Sequence, residues 1–131
     1  MTITLWCLFI AALLHVFSKT PLFLAMAKQR GGYNNSLPRE QQKQLDDYGK
    51  RAAAAHYNQL ESFPIFAAGA LVCTSLGLES YFISALSCTY IISRILYLYL
   101  YVKDLASLRT LVWLCGFTSS LVLIASPLWN S

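Results

Sequence analysis

Residues 51–77 read RAAAAHYNQLESFPIFAAGALVCTSLG, and two kinds of segment meet in this stretch. The second half is an apolar run typical of a membrane-spanning helix, whereas the first half carries Arg51, His56, Asn58 and Glu61. Ionisable side chains are costly inside a bilayer, and they usually pair with one another or mark a functional site. The stretch therefore predicts a helix that enters a membrane and carries polar side chains at membrane depth.

The composition of the whole chain supports a membrane protein. Of its 131 residues, 56% are apolar and only 12% are charged, whereas about a quarter of the residues of an ordinary soluble domain are charged. A spanning helix needs about 20 mostly apolar residues, and four runs provide them: 3–27, 58–76, 81–102 and 108–129. We expect an all-α fold, a single four-helix transmembrane domain over residues 1–131. Its expected helices cover about 3–27, 40–76, 81–102 and 106–129, with a loop at about 28–39.

The first run is interpreted as a retained helix. Its apolar stretch is long and lacks the basic start and small-residue cleavage site of a signal peptide. Pro21 follows Lys19 within it, and a proline inside a helix removes a backbone hydrogen bond and kinks the helix. We therefore expect a kinked first span.

The cysteines Cys7, Cys73, Cys88 and Cys115 each lie inside an apolar run, without C-x-x-C spacing. This placement is typical of small buried apolar side chains. The sequence thus predicts neither a metal site nor a disulfide framework.

The basic residues predict the orientation. Lys28, Arg30, Arg39, Lys43, Lys50 and Arg51 lie between the first two runs, and Lys103 and Arg109 lie between the last two. The N-terminus, the turn at 77–80 and the C-terminus carry no lysine or arginine. By the positive-inside rule, the basic loops are cytoplasmic and both termini lie outside. The net charge of +4 is explained by a basic rim beside anionic lipid, so no nucleic-acid partner is expected.

Two helices carry a polar stripe. Arg51, Asn58 and Glu61 share one face of the second helix, and the third helix carries its own stripe of Tyr90, Arg94, Tyr97 and Tyr101. We infer that Glu61 and Arg94 face one another or a common guest. Two alternatives stay open: a structural Arg94–Glu61 pair with tyrosines at the membrane interface, and a small transporter using His15, Lys19 and Glu61.

These residues resemble a known pattern. The motif R-x-x-x-A-H-x-N-x-x-E-x-x-P of residues 51–64, followed by R-x-x-Y-x-x-x-Y of residues 94–101 and by Arg109, is similar to the MAPEG family, the membrane-associated proteins in eicosanoid and glutathione metabolism. The length of the chain is most like that of short bacterial-type members. The resemblance implies a homotrimer, with glutathione as co-substrate near the cytoplasmic face between subunits. It also implies a lipophilic second substrate that arrives from membrane lipid.

The resemblance also implies residue roles. Glutathione would contact Arg51, Asn58, Glu61, Arg94, Tyr97 and Tyr101, and Arg109 would activate the thiol as the catalytic residue. Ala54 stands where many of the family's enzymes have an arginine. The resemblance implies a glutathione-dependent transferase or peroxidase. The alternative is a lipid-binding or scaffolding protein, because the family includes a non-catalytic lipid-binding member.

Overall fold

The computed structural model describes residues 2–129, and within them every regular element is a helix. The α-helices are α1 (Ile3–Phe17), α2 (Lys19–Ala27), α3 (Pro38–Lys43), α4 (Asp47–Ser75), α5 (Tyr81–Val102) and α6 (Ala106–Ala125), and a 3-10 turn follows at Ser126–Leu128. The expected all-α fold is thus confirmed.

Three stretches within residues 2–129 are long and apolar enough to cross a membrane: Ile3–Ala27, Tyr81–Val102 and Ala106–Leu128. Helix α4 has 29 residues but is not among them. Its more apolar second part begins near Asn58, Gln59 and Glu61, which make it less apolar than those three stretches. A fourth span through α4 therefore stays a prediction.

The first run is divided at Ser18, which separates α1 from α2 but keeps a right-handed helical backbone and donates its N–H to the Leu14 carbonyl oxygen at 2.8 Å. Pro21 lies one turn further on and has no N–H to continue the ladder. The buried Ser18 hydroxyl donates to the His15 carbonyl oxygen at 2.9 Å and lies 2.8 Å from His56 Nδ1 on α4. The junction between α1 and α2 is therefore joined to α4 by a side-chain contact, and a kink of the first span stays a prediction.

The helix expected to run unbroken over about 40–76 is interrupted, which corrects that prediction. Helix α3 ends at Lys43 and α4 begins at Asp47, because Asp46 caps α4 by accepting from the Gly49 N–H at 2.8 Å. Leu45, between the two helices, is 4% exposed and packs with Leu22 and other apolar residues of α2 and α4. The burial of Leu45 explains the break, because a continuous helix would place its side chain away from this apolar cluster.

Helices α1, α4, α5 and α6 pack around one apolar core. At its centre the rings of Phe66 and Tyr90 stack with centroids 3.9 Å apart. Gly69 brings α4 against the backbone of α6, where an added Cβ would lie 2.9 Å from the Ile124 nitrogen. Such close approach through small residues is typical of helix packing in membranes.

Candidate functional site

The centre of the candidate site is Arg94, a cation that is 2% exposed. Its Nε donates to Gln59 Oε1 at 2.8 Å and its Nη2 donates to Asn58 Oδ1 at 2.9 Å. The guanidinium also lies over the ring of Tyr97, 4.4 Å from the centroid. Arg94 is therefore held by neutral groups from α4 and α5.

No carboxylate lies within ion-pair distance of Arg94 in residues 2–129, where the ion pairs are Lys43–Glu40 and Arg51–Asp104. A buried charge normally requires a counter-charge as well as hydrogen bonds. Gln59 adds a second irregularity, because its Nε2 is buried without a hydrogen-bond partner in the same residues. The site thus combines an uncompensated cation with an unsatisfied donor.

A cavity of about 160 Å³ opens beside Arg94. Its polar wall comes from α4 and α5, and its apolar wall comes from Ile65 and from the stacked rings of Trp113 and Phe117, whose centroids are 5.0 Å apart. The polar lining residues are Asn58, Glu61, Ser62 and Arg94. One small space therefore offers a cation, a carboxylate and an aromatic surface.

From Arg94 a column of stacked side chains runs toward α6. Tyr97 meets Tyr101 edge to face at 5.5 Å between centroids, and the Arg109 guanidinium lies over the Tyr101 ring at 4.1 Å. Arg109 is half-buried and makes no side-chain hydrogen bond or ion pair within residues 2–129. The column places two cations at its ends, both in contact with tyrosine faces.

Arg51 takes a different position from its stripe partners Asn58 and Glu61. Its Nη1 lies 3.9 Å from Asp104 Oδ2 in the α5–α6 loop, where Asp104 adopts a left-handed conformation with φ 61°. Aspartate tolerates this region better than most residues. Arg51 therefore joins α4 to the loop that precedes Arg109.

The polar stripes led to the inference that Glu61 and Arg94 face one another, and within one chain this is wrong, because the two side chains form no ion pair. Amide oxygens of Gln59 and Asn58 accept from Arg94 Nε and Nη2, while Glu61 is exposed and lines the same cavity. The alternative of a structural Arg94–Glu61 pair is therefore not realised either. The common-guest version of the inference is compatible with this arrangement.

Two further residues have places that helical spacing did not reveal. Tyr90 is a core residue, because it is fully buried and its hydroxyl lies 3.0 Å from Ser62 Oγ. Gln59 was missed, since it lies one position away from the Arg51, Asn58 and Glu61 face. Its only signal in the sequence is an uncharged polar side chain at the start of an apolar run, and such a residue is buried only if it finds a partner.

His15 and His56 lie together, apart from the Arg94 cavity. The rings of His15 and His56 lie 6.2 Å apart at the α1–α4 contact. No contact within residues 2–129 joins this group to Glu61, and no cluster of histidine, cysteine or carboxylate side chains there could hold a metal ion. The geometry therefore favours the Arg94 cavity as the candidate site.

These features define an integral membrane protein, an all-helical bundle with a buried cation beside an amphipathic cavity. The model of the MAPEG family matches residues 3–129, nearly the whole chain, and the chain belongs to that family. No curated protein and no solved structure matches it.

Proposed function

We propose that the protein is a glutathione-dependent transferase or peroxidase that acts on a lipophilic electrophile reaching it from the bilayer. The observation that carries the proposal is Arg94, a buried cation without a carboxylate partner in residues 2–129, beside a cavity that also contains Glu61. Glutathione has two carboxylates and one ammonium group. Guanidinium groups bind carboxylates through paired donors, and Glu61 suits the ammonium.

The site is completed by a second copy of the chain in this proposal. About 160 Å³ is less than the roughly 300–1,000 Å³ of typical small-molecule sites. Glu61 is exposed within one chain, although an ionisable side chain at membrane depth usually faces a partner or an aqueous cavity. A homotrimer with clefts between subunits would enlarge the cavity and cover Glu61.

Arg109 is assigned the catalytic role. Its guanidinium is held by the Tyr101 face and keeps its donors available to a ligand. A cation near the glutathione sulfur favours the thiolate, which is the nucleophilic form. The thiol proton leaves to water. In the transferase reaction the sulfur forms a bond to an electrophilic carbon as the leaving group departs with the electron pair of the bond that breaks. In the peroxidase reaction the sulfur attacks a peroxide oxygen, the O–O bond breaks to give an alcohol and a glutathione sulfenic acid, and a second glutathione displaces water from it to form glutathione disulfide. Arg51, Asn58, Tyr97 and Tyr101 are assigned to binding.

The proposal includes an orientation. The basic loops lie on the cytoplasmic side, both termini lie outside, and α4 crosses the membrane as the fourth span. Glutathione then enters from the cytosol, and the lipophilic substrate enters between helices. The stacked Trp113 and Phe117 form the apolar wall of the cavity that such a substrate would meet.

A non-catalytic lipid-binding or scaffolding role is the second candidate, and one observation favours it. Two of the five N–H donors of Arg94, on Nε and Nη2, already bond to Gln59 and Asn58, and the guanidinium stacks on Tyr97. This is the arrangement expected of a polar lock between α4 and α5. In that case the cavity would be occupied by lipid and Arg109 would have no thiol to activate.

Titration of the purified protein with glutathione by calorimetry, together with ultraviolet difference spectra, separates the two candidates. The enzyme proposal predicts saturable binding at millimolar-range glutathione or below and a thiolate absorbance. Glu61→Gln should weaken binding by about 2–5 kcal/mol because the ammonium loses its counter-charge. Glu79→Gln, an exposed carboxylate in the α4–α5 turn, is the matched control and should change nothing.

Arg109→Ala should act on activation instead of affinity. It should retain most of the binding but lose the thiolate absorbance and the conjugation of a test electrophile. A flat titration of the wild type would reject the enzyme proposal and leave the polar lock as the role of Arg94.

A further inference from the structure

Two cysteines far apart in sequence meet at the contact between α1 and α5. The Sγ atoms of Cys7 and Cys88 lie 3.9 Å apart, although 81 positions separate the residues. Both thiols are free. The sequence placed them in different apolar runs and offered no reason to pair them.

The seam around this contact lets the two backbones approach closely. On α1 the contacting side is formed by Thr4, Cys7 and Ala11, all small and buried. Ser87, next to Cys88 in sequence, has its hydroxyl 3.4 Å from the Oγ1 of Thr4, which lies three residues before Cys7. Small residues bring helices together, and a disulfide requires short Cα separations and an S–S bond of about 2.05 Å. From the observed 3.9 Å the sulfurs need to approach by roughly 2 Å to form the bond.

The other two cysteines have different surroundings. Cys73 is buried and lies 3.0 Å from Ser126 Oγ and 3.3 Å from the Leu123 carbonyl oxygen. Cys115 is exposed on α6. Within residues 2–129, Cys7 and Cys88 are the cysteines whose thiols touch each other. They are therefore chemically distinct as a pair.

We propose that Cys7 and Cys88 form a redox-active pair that a lipophilic hydroperoxide oxidises to a disulfide. Cys88 is partly exposed and receives the oxidant, whereas Cys7 is buried behind it. Cys88 lies within the apolar stretch Tyr81–Val102, so a hydroperoxide dissolved in the bilayer is the oxidant that we expect to reach it.

The chemistry is a balanced two-electron oxidation. The Cys88 sulfur attacks the terminal peroxide oxygen, the O–O bond breaks, and the products are a sulfenic acid on Cys88 and an alcohol. The Cys7 sulfur then attacks the sulfenic sulfur, water leaves, and the S–S bond forms. Two thiols and one hydroperoxide thus give one disulfide, one alcohol and one water molecule. The product links α1 covalently to α5, near the amino-terminal ends of both helices.

The test uses the full-length protein in mild detergent, treated with cumene hydroperoxide and then alkylated. The expected result is the loss of two alkylatable thiols, a chain lighter by two hydrogen atoms, and a peptide spectrum that joins Cys7 to Cys88. Dithiothreitol should reverse all three changes. The double variant Cys73→Ser with Cys115→Ser should behave in the same way, whereas adding Cys7→Ser to it should leave a Cys88 sulfenic acid that dimedone traps.

Protein unfolded in detergent and urea is the control for reactivity, because the oxidant should attack all four thiols there. Peptide mapping of the wild type gives the same information if a variant does not fold. Equal reactivity of all four cysteines in the native protein, or a disulfide that joins other cysteines, would overturn the proposal. Oxidation by hydrogen peroxide as fast as by cumene hydroperoxide would overturn the route through the bilayer. The proposal does not depend on glutathione binding, so its failure and that of the enzyme proposal are separate results.

Discussion

Gln59→Glu is the sharpest perturbation of the Arg94 site, because it changes one atom of a fully buried side chain. Gln59 Oε1 accepts from Arg94 Nε at 2.8 Å, while Gln59 Nε2 is buried without a partner in residues 2–129. A glutamate side chain at this position keeps the acceptor, removes the unsatisfied donor, and supplies the carboxylate that Arg94 lacks. We expect the Gln59→Glu substitution to stabilise the ligand-free protein.

The magnitude follows from the two polar groups. An unsatisfied buried donor costs about 1–3 kcal/mol, and a hydrogen bond to a charged group contributes about 1.5–3 kcal/mol. The matched variant Gln59→Met removes the unsatisfied donor, but it also removes the acceptor of Arg94 Nε and leaves that buried charged donor without a partner, so it should be destabilised. Gln59→Glu loses only the unsatisfied donor, and Arg94, 2% exposed, is already desolvated. Gln59→Glu should therefore be more stable than Gln59→Met by about 2 kcal/mol or more.

The assay is thermal unfolding of both variants in the same detergent, followed by glutathione titration. Gln59→Glu should unfold at a higher temperature than Gln59→Met. It should also bind glutathione at least about tenfold more weakly than the wild type, a loss of about 1.4 kcal/mol, because the new carboxylate competes with those of the ligand for Arg94. A lower unfolding temperature for Gln59→Glu than for Gln59→Met would refute the reasoning, since it would mean that Arg94 already has a counter-charge in the assembled protein.

Three other predictions concern assembly, topology and packing. Native mass spectrometry in mild detergent should show a trimer, because Glu61 is exposed in one chain, and a purely monomeric spectrum would contradict this. A cysteine introduced at Asn34, in a variant without the four natural cysteines, should resist a membrane-impermeant reagent added to intact cells, and labelling from outside would reverse the proposed orientation. Gly69→Ala should destabilise by about 1–3 kcal/mol in thermal unfolding, since its Cβ would meet the Ile124 backbone nitrogen at 2.9 Å. Gly116→Ala should also destabilise, because the Ser93 hydroxyl that it meets can rotate away only by giving up its 2.7 Å hydrogen bond to the Tyr90 carbonyl oxygen, and an unchanged unfolding temperature of Gly69→Ala would argue against the backbone contact.

Much of the candidate site was predictable from helical spacing. Arg94, Tyr97 and Tyr101 lie on one face of α5 at every third or fourth position, and the structure places them in one stacked column. Arg109 follows in sequence after a short loop, so its contact with Tyr101 is local. Spacing along one helix is sufficient here because the side chains that touch belong to the same helix or to adjacent elements.

Spacing could not predict which partner a side chain takes on another helix. Arg94 bonds to Asn58 and Gln59 instead of Glu61, and Arg51 turns to Asp104. A rotation of α4 by a fraction of a turn exchanges these partners without changing the hydrophobic pattern. Such choices depend on the rotation and depth of packed helices, which no single helix encodes.

The sequence by itself determined that the protein is helical and belongs to a membrane, because long apolar runs with few charges can satisfy their backbone groups in lipid only as helices or closed barrels. It also determined the family, through the motifs around Asn58 and Glu61 and around Arg94. The tertiary structure alone decided that Arg94 is buried without a carboxylate, that Gln59 is its partner, and that Cys7 meets Cys88. These facts depend on how α1, α4 and α5 pack against one another, and contacts between distant segments are set by close packing of the whole bundle.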